Sequence, residues 1–193
     1  MRLIGNYLSP YVRRVAVSLN ILEWSYPAVV RRYNPLVRIP GLVLDDGSNL
    51  FESAAILDEI DRLGGTERCL TPSQGLQRRR VVQTTAITVA CAEKAQWSFY
   101  EGRVRPAEKL HTPWIEHNDK QVLAGFEHLD GIAAKVGRGG WIAGTQCISQ
   151  ADVTTAFAYT SATQHGAAKV GFGGTTSPAI ALCQALARPY QRS

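Results

Sequence analysis

Apolar positions change period several times in the first third of the chain and then settle into a helical repeat. Leu3-Ile4-Gly5 reads as a short strand. Ser9 and Pro10 precede a stretch with Val12, Val15, Val17, Leu19 and Leu22. Ser followed by Pro starts a helix, because the hydroxyl accepts from an orphan amide and the proline ring has no amide to satisfy. A second extended piece covers roughly residues 26–30. Leu42-Val43-Leu44, the turn Asp45-Asp46-Gly47 and Asn49-Leu50-Phe51 form a predicted hairpin. A helix follows from about Ser53, with Ala54, Ile56, Leu57, Ile60 and Leu63 facing inward and Gly64-Gly65 as its stop.

The order β-α-β, then β-β-α, predicts a thioredoxin-like α/β unit over residues 1–67. Residues 68–77, including Thr71-Pro72-Ser73-Gln74-Gly75, read as a linker. Residues 78–193 read as an all-α domain. One long helix is expected over about 77–97, with Val81, Val82, Ile87, Val89 and Ala90. Another covers 114–136, where Val122, Phe126, Leu129, Ala133 and Val136 recur at helical spacing. A third opens at Ser149 and runs to about 163. Ser177-Pro178 repeats the cap-then-proline signal before a last helix over 179–187.

Composition narrows the class. Of 193 residues, 45% are hydrophobic and 19% charged, which excludes a disordered chain. No apolar run approaches the roughly 18 residues of a membrane span. Met1 to Tyr7 turns polar too soon for a signal-peptide core, so a cytoplasmic protein is expected. The net charge of +5 comes from arginines in short clusters, at Arg13-Arg14, Arg31-Arg32 and Arg78-Arg79-Arg80, read as solvated helix faces. They form no coherent basic surface for nucleic acid, although a mildly positive field favours a small anion. Cys69, Cys91, Cys147 and Cys183 are far apart in sequence, and His111, His117, His128 and His165 show no ligand spacing. The expectation is therefore no metal, and cysteines that are reduced and structural.

Three segments carry chemistry. Ser9, at a helix N-terminus, faces free amides and the positive end of the helix dipole, where a thiolate is stabilised. No cysteine lies in that loop, so such a thiolate would come from a ligand. Ile39-Pro40 opens a strand with a residue that cannot donate to the ladder. At Glu52-Ser53 a helix-capping hydroxyl offers an anion site beside a carboxylate that can accept from an ammonium. Each feature alone also fits an ordinary cap or turn.

Taken in order, Ser9-Pro10-Tyr11-Val12-Arg13-Arg14-Val15, then residues 34–40, then Glu52-Ser53 with Ala55-Ile56-Leu57, resemble the glutathione transferase superfamily, especially its serine-type bacterial members. The resemblance extends into the helical half through Trp141-Ile142-Ala143-Gly144 and Ile148-Ser149-Gln150-Ala151-Asp152-Val153. There Ser149 and Asp152 form a capping box and Ile148 and Val153 a hydrophobic staple. The resemblance implies that Ser9 stabilises the glutathione thiolate. It also implies that Ile39, before a cis Pro40, pairs with the cysteinyl part, that Glu52 and Ser53 grip the γ-glutamyl end, and that Arg38 reaches the glycyl carboxylate. It implies a homodimeric detoxification enzyme that joins glutathione to a small apolar electrophile. The alternatives are a glutathione-dependent isomerase, dehalogenase or peroxidase, or a non-catalytic binding protein on the same scaffold. Tyr7 is the rival to Ser9. Tyr11, Trp97 and Tyr100 are the candidates for a second-substrate pocket, with core packing as the alternative for helical aromatics. One departure stands out: only residues 30–38 separate the second strand from Ile39-Pro40, fewer than a parallel crossover with its helix uses. Either that helix is reduced to a turn, or part of the natural chain is absent here.

Overall fold

The computed structural model describes residues 1–6, 9–22, 36, 38–136 and 140–164. Strand β1 spans Arg2–Ile4, helix α1 Pro10–Ile21, β2 Gly41–Val43, β3 Asn49–Phe51 and α2 Ser53–Arg68. Helix α3 (Gly75–Val104), a short 3-10 turn (Ala107–Lys109), α4 (Thr112–Val136) and α5 (Gln150–Gln164) follow. Among the described residues the sheet runs β1-β2-β3, and both pairings are antiparallel. This is a thioredoxin-like α/β unit followed by an all-helical one. The extended piece expected at 26–30, most of the short crossover and the helix expected at 179–187 lie outside the described residues.

The hairpin forms where its turn chemistry places it. Gly47 adopts φ 86°, a conformation that side chains disfavour, and its amide donates to the Leu44 carbonyl at 3.1 Å. The Asp46 carboxylate holds the turn by accepting from the Ser48 amide at 2.8 Å and the Ser48 hydroxyl at 2.6 Å. One face of the sheet, with Leu3 and Leu42, packs on Val12, Val15 and Leu19 of α1 and on Ile56 and Ile60 of α2. At Gly5 a Cβ would stand 2.5 Å from a Val12 methyl carbon, so glycine lets α1 close onto the end of β1.

Helix α1 is enclosed on its other flank as well. Val17 and Ile21 join Leu70 and the α5 residues Val153, Ala156 and Phe157 in a second apolar cluster. Polar contacts fix this seam. The Ser18 hydroxyl bonds Gln150 Oε1 at 3.0 Å, and the Gln150 amide donates to the Leu70 carbonyl at 2.8 Å. Asp61 of α2 in turn accepts from the amides of Leu70 and Thr71 at 2.7 and 3.1 Å. Every residue from Val12 to Leu19 is therefore buried. This corrects the reading of Arg13-Arg14 as a solvated face: their side chains lie inside a helix with two apolar stripes. Arg79 and Arg80 are exposed, as expected.

The helical half corrects other details. The inward face of α3 is Val81, Thr84, Thr88, Cys91, Ala92, Ala95 and Ser98, whereas Val82 and Ala90 are exposed. Small side chains allow close approach, and Gly125 of α4 lies so near Cys91 Sγ that any Cβ there would collide. Thr88 remains satisfied, donating to the Thr84 carbonyl at 2.8 Å and lying 3.1 Å from the Thr155 hydroxyl. In α2, Ala54 and Leu63 are exposed, and the chain continues past Gly65 (φ 70°) for one more turn to Arg68. Helix α3 runs to Val104, seven residues beyond the expected end.

At the start of α5, Asp152 reaches back to the Ser149 amide at 2.9 Å, as a capping-box acid does. The Ser149 hydroxyl donates to the same carboxylate at 2.6 Å, and the other Asp152 oxygen accepts from the Ile142 amide at 2.7 Å. One buried carboxylate thus joins the loop before α5 to its first turn. Burial raises its pKa, and these hydrogen bonds oppose the rise. Asp152→Ala strands these buried donors and should destabilise the fold by about 3 kcal/mol, read as a lowered urea midpoint with unchanged slope.

Candidate functional site

The register of the sheet assembles the site. Ile4 pairs with Gly41, and Gly41 pairs with Phe51. This row sets three chain ends side by side: the exit of β1 toward Ser9, the entry of β2 after Ile39-Pro40, and the exit of β3 into Glu52-Ser53. The Ile39-Pro40 peptide is cis.

Ser9 occupies the N-cap of α1 with φ −76° and ψ 126°, and Pro10 is the first helical residue. Its hydroxyl oxygen accepts from the Val12 amide over a long 3.5 Å, so the hydroxyl hydrogen is available to another acceptor. Tyr7 lies outside the described residues.

At α2 the cap differs from expectation. Glu52, not Ser53, holds the N-cap, with φ 64° and ψ 124° and no side-chain bond to the helix. Positive φ in a residue with a Cβ is strained, and such strain concentrates where a site imposes it. Ser53 is the first helical residue, and its hydroxyl accepts from Arg14 Nη2 at 2.7 Å. Arg38 faces Glu52 across 3.7 Å, and both side chains are well exposed.

Arg14 is the member that the sequence reading missed. Only 3% of Arg14 is exposed, and among the described residues its Nε and Nη1 have no hydrogen-bond partner. Burial lowers its pKa to about 10, against the opposing pull of Tyr11, Glu52 and Glu93, so it is cationic at neutral pH. The Tyr11 hydroxyl is likewise buried without a partner. Burial, then the charge of Glu93, raises its pKa, so the phenol stays protonated. The available signal was α1 itself: apolar residues on two flanks leave no wet face for Arg14.

Tyr11 packs against the helical core, at the seam between the two units. Trp97 and Tyr100 follow Glu93 at i+4 and i+7 on one side of α3, and they are 58% and 48% exposed. They are therefore not core residues. Cys91 is buried and its thiol is pushed up to about 11 by burial, whereas Cys147 is exposed. Among the described residues no group of His, Cys, Asp and Glu is arranged to hold a metal, and no helix is long and apolar enough to cross a membrane.

Residues 8–63 match the glutathione S-transferase N-terminal domain. That match covers under a third of the chain, and it makes the first unit similar to the glutathione-binding half of that superfamily's fold. The GST-like protein YibF of Escherichia coli (strain K12) is 26% identical to this chain over 141 residues, covering 68% of this chain and 69% of YibF. The fold is similar to a glutathione S-transferase of Methylobacillus flagellatus KT with glutathione bound, with TM-score 0.73, 22% identity and coverage of 94% and 98%. It is also similar to a glutathione transferase family member of Pseudomonas fluorescens Pf-5 with bound glutathione, with TM-score 0.70, 21% identity and coverage of 94% and 97%. A maleylacetoacetate isomerase of the same fold gives TM-score 0.71 at 19% identity over 97% of this chain and 95% of its own.

At the start of α2 the strain at Glu52 has a direct test. Glycine adopts positive φ without a Cβ penalty, so Glu52→Gly should be more stable than Glu52→Ala by about 1 kcal/mol. Urea unfolding of the two variants, both lacking the carboxylate, measures the difference.

Proposed function

We propose that this protein binds glutathione and transfers its thiolate to a small apolar electrophile. The carrying observation is the row Ile4–Gly41–Phe51, which gathers Ser9, Ile39-Pro40 and Glu52-Ser53 at one end of the sheet. That grouping matches the parts of an extended tripeptide with a carboxylate and an ammonium at one end and a thiol in the middle.

In this reading the Ser53 hydroxyl and the free first-turn amides of α2 take the γ-glutamyl carboxylate, while Glu52 takes the ammonium. Ile39 supplies backbone pairing to the cysteinyl unit. Arg38 is the cation that the resemblance gives to the glycyl carboxylate; in this structure it faces Glu52 across 3.7 Å and would have to swing away from it to reach that end. The sulfur then meets the Ser9 hydroxyl at the N-terminus of α1. The hydroxyl donates to the thiolate and the helix dipole favours its charge, so the thiol ionises at neutral pH without a protein base. Ser9 is a donor and not the nucleophile; the chain's contribution is electrostatic stabilisation and alignment. Unpartnered buried polar atoms at Tyr11 and Arg14 support a ligand-binding reading, because such groups ordinarily find a partner.

The electrophile would lie toward Tyr11 and the α3 stripe of Trp97 and Tyr100. The family resemblance also brings a homodimer, which light scattering would report as twice the chain mass. Purified protein should conjugate glutathione to a generic aryl halide, and Ser9→Ala should lower kcat/KM at least about tenfold, the scale of losing one preorganised donor. Unchanged turnover in Ser9→Ala would remove Ser9 from the mechanism. Failure to be retained on immobilised glutathione would move the protein to the non-catalytic class.

A further inference from the structure

Away from the sheet end, two cysteines that are distant in sequence meet at the seam between the units. Cys69 is the C-cap of α2, and Cys147 lies in the loop before α5. Each precedes an apolar residue of one cluster: Leu70 is buried in it and Ile148 packs against it. The backbones are tied at the same place, because the Gln150 amide donates to the Leu70 carbonyl at 2.8 Å. The two thiols accordingly lie within electrostatic reach. Burial first, then Asp61, and to a smaller degree Cys147 raise the pKa of Cys69. Their accessibility differs. Cys147 is exposed, whereas Cys69 is half-buried and its thiol donates to the Thr66 carbonyl at 3.5 Å. Cys91, by contrast, is buried against Gly125 of α4.

Thiol–disulfide exchange begins with a thiolate that a disulfide can approach. Cys147 offers that access, while burial and Asp61 favour the thiol form of Cys69. We propose that Cys147 and Cys69 are a dithiol modification site, which a small-molecule disulfide converts into a cross-link between the end of α2 and the loop before α5. In the first step the Cys147 thiolate bonds to one sulfur of the small disulfide. The other sulfur leaves with the bonding electron pair and takes up a proton. Cys69 then loses its proton to solvent and attacks Cys147 Sγ, and the second half of the small molecule leaves in the same way. Two protein thiols are oxidised to one disulfide, and the small disulfide is reduced to two thiols. The new bond crosses the seam that Leu70 and Gln150 already close, so it ties the thioredoxin-like unit to the helical one. Neither step uses the site at the end of the sheet, and neither depends on the glutathione reading.

The test treats the full chain, folded and fully reduced, with bis(2-hydroxyethyl) disulfide at neutral pH. Wild type should lose two hydrogens in intact mass and retain no hydroxyethylthio group. A tryptic map without reductant should return the Cys69 and Cys147 peptides joined. Cys69→Ser should hold one hydroxyethylthio group on Cys147. Cys147→Ser should react at Cys69 at least about tenfold more slowly than wild type loses its thiols, the consequence of lower access. Oxidised wild type should unfold at a higher urea concentration than the reduced chain, and reductant should erase the difference. A mixed disulfide that persists on Cys147 in wild type, a link to Cys91 or Cys183, or a cross-link between two chains would each overturn the pairing. A urea midpoint that oxidation does not raise would overturn the tie between the units. Should Cys69→Ser fail to fold, the wild-type mass and peptide map decide the pairing by themselves.

Discussion

The enclosure of α1 between the sheet and α5 is the constraint on which the rest of the structure depends. One flank of the helix, through Val12, Val15 and Leu19, completes the core under the sheet, and the other, through Val17 and Ile21, meets Val153 and Phe157. The helix cannot rotate or slide without opening one core or the other. Its N-terminus is consequently held in place, and Ser9 with it. A residue that must meet a ligand atom within a few tenths of an ångström is best carried by such an element. The polar chain from Asp61 through Leu70 and Gln150 to Ser18 reinforces the same seam, running from a half-buried carboxylate to a buried hydroxyl.

Enclosure has an electrostatic consequence. With no wet face on α1, the two arginines that follow Val12 are carried into the interior. Arg13 lies 5.5 Å from the centre of the Phe157 ring, where the face of the aromatic offsets part of the lost hydration. Burial still lowers the pKa of both guanidiniums. The two arginines thus have different environments: Arg13 is stacked on the helical unit, while Arg14 turns to the end of α2. The same helix that stabilises the two-unit architecture also delivers positive charge to the start of α2, through the bond from Arg14 to Ser53.

Much of this was legible because local chemistry has local signatures. Ser9-Pro10, the Asp-Gly turn and Ser149 with Asp152 each satisfy backbone groups that any helix end or hairpin leaves open, so they read directly from sequence. The buried face of α3 did not, because it is lined by Thr84, Thr88, Ala92 and Ala95, and a search for large apolar residues selects Val82 instead. Close helix packing rewards small side chains, as Gly125 against Cys91 illustrates. Glu52 taking the N-cap in place of Ser53 was hidden for another reason. Positive φ in a glutamate contradicts local preference and arises only from the surrounding fold.

That conflict is informative at the site. The strain at Glu52 and the lone charge at Arg14 each cost stability, and both converge on Ser53, one by sequence adjacency and one by a 2.7 Å hydrogen bond. Neither is needed to complete the cores, which are filled by Val12, Val15, Ile56 and Ile60 on one side and Val153 and Phe157 on the other. Unfavourable features that gather at one point, while the packing around them is well satisfied, are intelligible as preorganisation for a group that relieves them. A carboxylate at the start of α2 answers the charge, and an ammonium beside it answers the carboxylate that the strained turn holds outward. Both charges belong to one α-amino acid end. The register of three short strands then sets that end beside the N-terminus of α1, where a thiol on the same ligand would meet Ser9.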